Sequence, residues 1–546
     1  MARRLIPLVA LAAALAAGSA AAGTRAPACA GTCFTAPAGS GALLLFSGHG
    51  YGHGVGMSQY GAYGYAQHGS TFEQILAHYY PGTTLGPAPV SKIRVLLVDR
   101  KESLKLSSEV PFTVRDGTGR RHTVAAGTVS FGPGLRLAVD GDPARQQLTA
   151  PLTFAAGKGA PLTLTRPYRG QIQVDVVDGK LRAIDIVGLE QYLYGVVPSE
   201  MPSTWAPEAL KAQAVAARSY ALATRQVAAP FDVFSDTRSQ MYLGVSNESQ
   251  AATAAVDLTK GQVLFYGGTI AKTFFSSTSG GRTESSQDWT GTPLPYLVSV
   301  ADPYDSISPY HDWGPVPVTA RTVSKKLKVR GTILDATTVP NPAGRVASLN
   351  VLTALDQVQI PGTKLRTALG LRSTWFSIDL LSLAAPSPNP PVAYGTTVTL
   401  GGAIRGLTGV MLEERPTGGT WEAVGPVAPG TLQLTQKPAS TTDYRLATAT
   451  AVAGSVRIRV APAVTVTSLT STQVVGSELP LLPGAPVAVQ QQSAGTVWTT
   501  VATGSVAADG TFAIPVTLTS GGTYRVSVAP GAGYAPGSSA PQIVVP

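Results

Sequence analysis

From residue 92 to residue 188, apolar and polar residues alternate in short runs: KIRVLLVD, EVPFTVRD, HTVAAGTVSF, LRLAVD, PLTFAA, LTLTR, GQIQVDVV and LRAIDIV, punctuated by Gly, Asp and Pro. A period of two sends successive side chains to opposite faces, so these runs predict an antiparallel sheet or barrel. The pattern then changes. Residues 206–223 are alanine-rich and predict a helix, with Ser203 or Thr204 as cap, Pro207 in the first turn and Glu208 at the positive end. Residues 72–80 predict a short amphipathic helix ended by Pro81 and Gly82. Residues 256–264 read as a helix end, a turn and a strand. Across 311–382, TARTVSKKLKV reads as a short helix, and LNVLTALD and STWFSIDLL as strands.

Residues 383–392, LAAPSPNPPV, read as a proline-rich linker. Two weakly similar units follow, over 393–462 and 463–546. Trp421 matches Trp498, and Tyr444-Arg445 matches Tyr524-Arg525. Each unit predicts an immunoglobulin-like sandwich, with its paired Trp and Tyr in the core. The predicted fold class is therefore α+β. A mainly antiparallel β domain with a central helix spans 42–382, and two all-β immunoglobulin-like sandwiches follow it.

The N-terminus has a different character. Arg3 and Arg4, an apolar stretch over 5–17 and small residues at 20–22 read as a secretory signal over 1–22, followed by a short segment over 23–41. The predicted location is secreted or cell-wall associated. Cys29 and Cys33 are the two cysteines of the chain. In an oxidising compartment they predict a local disulfide. With His49 and His53 they also approximate zinc-finger spacing, but the glycines of SGHGYGHGVG argue against the helix a finger needs. The 41 Lys and Arg against 31 Asp and Glu leave a charge of +10. That excess serves solubility or attraction to an anionic surface such as a cell wall. No basic stripe interleaved with aromatics points to nucleic acid.

Candidate chemistry concentrates in residues 189–224, LEQYLYGVVPSEMPSTWAPEALKAQAVAARSYALAT. Glu200 lies between Pro198 and Pro202, which predicts a carboxylate on a stiff loop. Lys211 and Arg218 are seven residues apart, so they share one helix face, with small Ala214 and Val215 between them. This is either a solvated surface helix beside a loop glutamate or part of a site. The stretch closely resembles the core of the stage II sporulation protein D family, which includes the amidase-enhancer LytB proteins. Two more stretches resemble it, GHGYGHGVGMSQYGAYGYAQHG at 48–69 and FFSSTSGGRTESSQDWTG at 274–291. In that family the first of these usually follows the SEMP helix, so its position here looks like a circular permutation.

The resemblance implies a lytic transglycosylase acting on peptidoglycan. Glu200 would be the acid/base, and Lys211 and Arg218 would belong to the cleft. It further implies that His53 and Gln59 face sugar, that Gln240 and Tyr242 contact it, and that Ser279 hydrogen-bonds the glycan. FDVFSDTRSQMYLG resembles a segment that binds zinc in some members. Phe234, Arg238 and Ser239 stand at those positions, so neither metal nor cofactor is expected. The hydroxyl-rich 276–281 loop is not a G-x-S-x-G elbow, which argues against a serine nucleophile. Glu190, at a strand end, reads as structural.

A lone carboxylate suffices when the substrate supplies the nucleophile. The MurNAc 6-hydroxyl would attack its own anomeric carbon and leave a 1,6-anhydro end. Such an acid needs a raised pKa, helped by Val196, Val197 and Met201. Lys211 and Arg218 would then bind the free lactyl carboxylate of peptide-free strands. The alternatives are a non-catalytic glycan-binding module that stimulates an N-acetylmuramoyl-L-alanine amidase, and a surface adhesion protein. Finally, 42–83 is expected to pack against 270–310 and complete the cleft.

Overall fold

The alternating runs of 92–188 form strands of one seven-stranded sheet and of two smaller ones. In this computed structural model, which describes residues 33–493, 495–519, 521–531 and 533–544, the expected leader and Cys29 lie outside the described residues. Cys33 is disulfide-bonded. Seven strands lie in the order Val233–Phe234, Lys92–Lys101, Lys180–Gly188, Gln171–Val177, Leu152–Ala156, Phe112–Arg115 and Arg121–Val124. Neighbours are antiparallel, except that Val233–Phe234 runs parallel to Lys92–Lys101. Their buried residues share a core with three of the helices: Ile93 and Val95 meet Leu193, Val197, Leu210, Ala214 and Val256.

The helices are α1 (Gln59–Gln67), α2 (Phe72–Tyr79), α3 (Leu189–Glu200), α4 (Pro207–Ala223), α5 (Gln250–Leu258), α6 (Ser286–Thr290), α7 (Ala320–Leu327) and α8 (Gly362–Leu369). Helix α4 begins as its Pro207 and Glu208 predict, but Ala206 is its N-cap and no side chain caps it. Ser203 instead accepts a hydrogen bond from Ser249. The prolines around Glu200 do not make a loop. Pro198 lies within α3, and Glu200 is the last residue of that helix. Turn Thr259-Lys260-Gly261 links α5 to strand Gln262–Tyr266, with Gly261 at φ +69°.

The second half of the glycine-rich 48–69 stretch is α1, capped by the Ser58 hydroxyl. Its glycines are contact points. A Cβ on Gly61 would lie 2.0 Å from the Tyr79 hydroxyl, and one on Gly64 would lie 2.4 Å from the Tyr304 carbonyl. Close approach of neighbours outweighs the poor helix propensity of glycine here. Met57–Ser58 pairs in parallel with Phe275–Ser276, and Tyr51 bridges to Thr278. The 42–83 stretch therefore packs against 270–310.

The expected boundary at 383–392 is not where the sheet stops. One five-stranded sheet runs Asp312–Thr319, Leu43–His49, Phe376–Ala384, Val398–Arg405 and Gly430–Gln436. Leu44 and Phe46 point into the core of the 311–376 region, whereas Leu43 and Leu45 point into the core of the first C-terminal unit. The continuous apolar run at 42–46 is buried on both faces, as in a central strand. The last unit has its own core, including Val487, Val489, Phe512 and Tyr524.

The matched tyrosines are buried, Tyr444 at 1% exposure and Tyr524 at 2%. The matched tryptophans are not core residues. The Arg445 guanidinium lies 3.9 Å from the Trp421 ring and that of Arg525 lies 4.3 Å from Trp498. In a Tyr-Arg strand pair the Tyr faces in and the Arg faces out, so each Trp stacks on the outer face.

Candidate functional site

A cleft of about 600 Å³ opens where α3, α4, α6 and α8 meet the two loops around 237 and 274. Glu200 lines it, and no other carboxylate does among the described residues. Helix α3 ends at Glu200 because Met201 turns to extended backbone, with φ −133° and ψ 135°. Two glutamines fix that end. Gln59 donates to the Glu200 carbonyl at 2.9 Å and is 3.4 Å from Gln213 on α4. Gln240 accepts from the Tyr192 hydroxyl at 3.1 Å and donates to the Ala217 carbonyl at 3.2 Å. That anchors the loop whose next residue, Met241, donates its N–H to Glu200 Oε1 at 2.7 Å. Burial pushes the Glu200 carboxyl above the usual glutamate range, and the Met241 N–H opposes it.

Aromatic rings make the opposite wall. His53 stacks on Trp289 with centroids 4.6 Å apart, and Phe274 meets both rings edge-on. Nδ1 of His53 accepts the Val55 N–H at 3.0 Å, so its proton sits on Nε2. Burial, with Arg366 and Arg345 nearby, pulls its pKa down to about 4. His53 is thus a neutral ring at neutral pH and fits a stacking surface better than a proton donor. Tyr220 of α4 completes this wall; burial raises its pKa first, and the nearby Glu200 raises it further.

The cleft's cations are Arg238 and Arg366. Arg238 is paired with Asp236 at 2.7 Å and lies 3.9 Å above the Phe234 ring. The Ser239 hydroxyl accepts the Phe234 N–H at 3.1 Å. The three residues at the zinc-like positions thus contact one another. Arg366 comes from α8 and is held by one hydrogen bond, Nε to the Arg372 carbonyl at 3.1 Å.

Of the residues expected at the site, Glu200 and His53 meet in the cleft. The others do not line it. Arg218 is fully buried and paired with Glu190 at 2.5 Å; it also donates to the carbonyls of Gln262 and Val256. Lys211 is paired with Glu208 at 2.6 Å, and Glu208 in turn accepts the Phe72 N–H. Arg218 holds α4 to its neighbours, whereas the Lys211 pair lies within α4. Ala214 and Val215 are small because other helices pack there, and both are buried. Tyr242 donates to buried Asp185 at 2.8 Å, and Ser279 donates to buried Asp302 at 2.7 Å. Gln59 and Gln240 are buried and act on the backbone around Glu200 rather than on sugar. Sequence reasoning did not place Tyr220, Trp289 or Arg366 at the site. Trp289 lies in a quoted motif, and Tyr220 lies two residues beyond Arg218 on another face of α4. No local signal marks Arg366.

A family model described as "Stage II sporulation protein" matches residues 177–266. The chain is 32% identical over 247 residues to stage II sporulation protein D of Bacillus subtilis (strain 168), covering 42% of this chain and 70% of that one. It is 31% identical over 247 residues to the protein of the same name from Bacillus amyloliquefaciens, covering 41% and 69%. It is also 42% identical over 113 residues to the amidase enhancer of Bacillus subtilis (strain 168), covering 21% of this chain and 15% of that one.

Proposed function

The chain belongs to the stage II sporulation protein D family, and we propose on that premise that it is an exported lytic transglycosylase of peptidoglycan. It would cleave the MurNAc–GlcNAc bond of peptide-free strands and leave 1,6-anhydroMurNAc ends. The observation that carries this reading is a lone carboxylate in a half-aromatic cleft, with its pKa raised by burial. A glycosidase that activates water or uses its own nucleophile needs a second carboxylate. A strand whose 6-hydroxyl attacks intramolecularly needs one group that gives and then takes a proton.

Glu200 in its protonated form donates to the glycosidic oxygen as that bond breaks. The 6-hydroxyl oxygen then bonds to the anomeric carbon, and Glu200 takes the hydroxyl proton, which restores the acid. The N–H of Met241 holds Oε1, which leaves the other carboxyl oxygen for the substrate. The stacked His53 and Trp289 offer apolar ring faces to the sugars. Lys211 and Arg218 do not oppose protonation of Glu200, since their charges are offset by Glu208 and Glu190.

A second reading rests on the likeness to the amidase enhancer: the same cleft binds glycan without cutting it and recruits a cell-wall amidase. Incubating the protein with peptide-free glycan and weighing the products by mass spectrometry separates the two. New anhydro ends support the enzyme. Their absence, with retained binding and stimulation of an amidase, supports the binding module.

A further inference from the structure

Arg366 is a wall of two cavities. One is the Glu200 cleft. The other, of about 530 Å³, is lined also by Tyr51, Thr367, Leu371 and Arg372, with no acidic residue among its walls. Tyr51 is 41% exposed, unusual for a tyrosine flanked by glycines whose backbone is fixed. Its N–H and carbonyl both bond to Thr278, and the Gly52 N–H donates to the Arg372 carbonyl. The Arg372 guanidinium lies 4.3 Å from the Tyr310 ring and 5.6 Å from Tyr51, and the two tyrosines meet edge-on at 5.1 Å. An exposed ring on a backbone fixed by hydrogen bonds suits the face of a pyranose. Two guanidiniums beside it, neither ion-paired among the described residues, suit a carboxylate. A polymer that enters the cleft must leave it, and the cavity that shares Arg366 with the cleft offers it a way out.

We infer that this second cavity is a distal subsite for the same glycan strand, in which Tyr51 carries a sugar ring and Arg366 with Arg372 reads the free carboxylate of a muramic acid residue. The inference rests on the reading that the cleft takes glycan. It also moves the recognition of the carboxylate from α4, where Lys211 and Arg218 are paired with Glu208 and Glu190, to α8 and the residues after it.

The test is equilibrium binding of the full chain to three probes of equal length: a peptide-free glycan oligosaccharide, the same oligosaccharide with its carboxylates amidated, and a chito-oligosaccharide. Arg372→Gln should weaken binding of the carboxylate strand about tenfold, the scale of one charge-assisted hydrogen bond. It should leave the amidated strand and the chito-oligosaccharide within about twofold, and the difference should fade as salt is raised. Arg372→Lys keeps the charge and should recover most of the preference; it also serves if Arg372→Gln melts early. Tyr51→Ala should weaken all three probes alike. Carboxylate-strand binding indifferent to Arg372→Gln, or an equal loss on all probes, overturns the subsite while leaving the cleft standing. A wild-type protein that binds none of the probes overturns the glycan reading and the subsite together.

Discussion

Glu200 ends a helix among apolar neighbours, and that placement sets its proton affinity. Its pKa is raised by burial, so the folded state binds its proton more tightly than the unfolded chain does. Stability therefore falls as pH rises from the ordinary glutamate value through the raised one, and stays lowered above it. Glu200→Gln keeps the acceptor for the Met241 N–H and removes the charge. It should melt no lower than wild type at pH 7, with the difference shrinking towards pH 4; thermal melts across that range check the sign. In the proposed mechanism the acid form is the active one, so the rate of anhydro-end formation should decline as pH rises through the raised pKa. Arg218 behaves oppositely. Arg218→Met strands Glu190 at a buried contact and should cost about 3–5 kcal/mol in urea unfolding, with no change in glycan affinity of the folded protein. Lys211→Ala, at a partly exposed pair, should cost no more than about 1 kcal/mol. The sequence pointed to Glu200 and His53 because both sit in recognisable motifs. It misjudged Lys211 and Arg218 because seven-residue spacing fixes a shared face but not what that face meets.

Helix α4 shows at the level of elements what an alanine-rich sequence encodes. Its buried residues run from Ala209 to Leu222, broken only at Lys211 and Tyr220, with α1, α2, α3 and α5 packed around it. Small side chains let those helices approach, and Arg218 ties α4 to Glu190 of α3. The same reasoning applies to the glycines that lead into α1. Gly56 has φ +72°, and a Cβ there would lie 2.0 Å from the Phe274 carbonyl. The left-handed backbone alone costs an alanine about 1–2 kcal/mol, and the contact would part Met57 from Phe275. Gly56→Ala should therefore lower the unfolding free energy by more than that and weaken glycan binding, both measurable on one preparation. The helix at 72–79, the turn at 259–261 and the strands of 92–188 were legible from period and punctuation. Helix α1 was not, since its glycines serve packing partners far away in the chain.

Over the whole molecule, the strand Leu43–His49 joins parts that the sequence separates. It lies between Asp312–Thr319 and Phe376–Ala384, and its two faces serve different cores. The proline-rich stretch reads as a linker by composition, but the sheet continues across it through Leu383 and Gly402. Long-range pairing of this kind leaves no local signature. Truncation after residue 392 should strip Val398–Arg405 from that sheet and give an unstable product. Truncation after residue 462 removes a unit with its own core and should leave the cleft's melting and glycan binding intact. The central claim is that Glu200 alone gives and takes the proton. Its most direct test counts 1,6-anhydro ends by mass spectrometry after wild type and Glu200→Gln meet the same peptide-free strands. The account requires a fall of at least about a hundredfold, the usual scale of general acid–base catalysis, with binding retained. Anhydro ends formed by Glu200→Gln at the wild-type rate would contradict it.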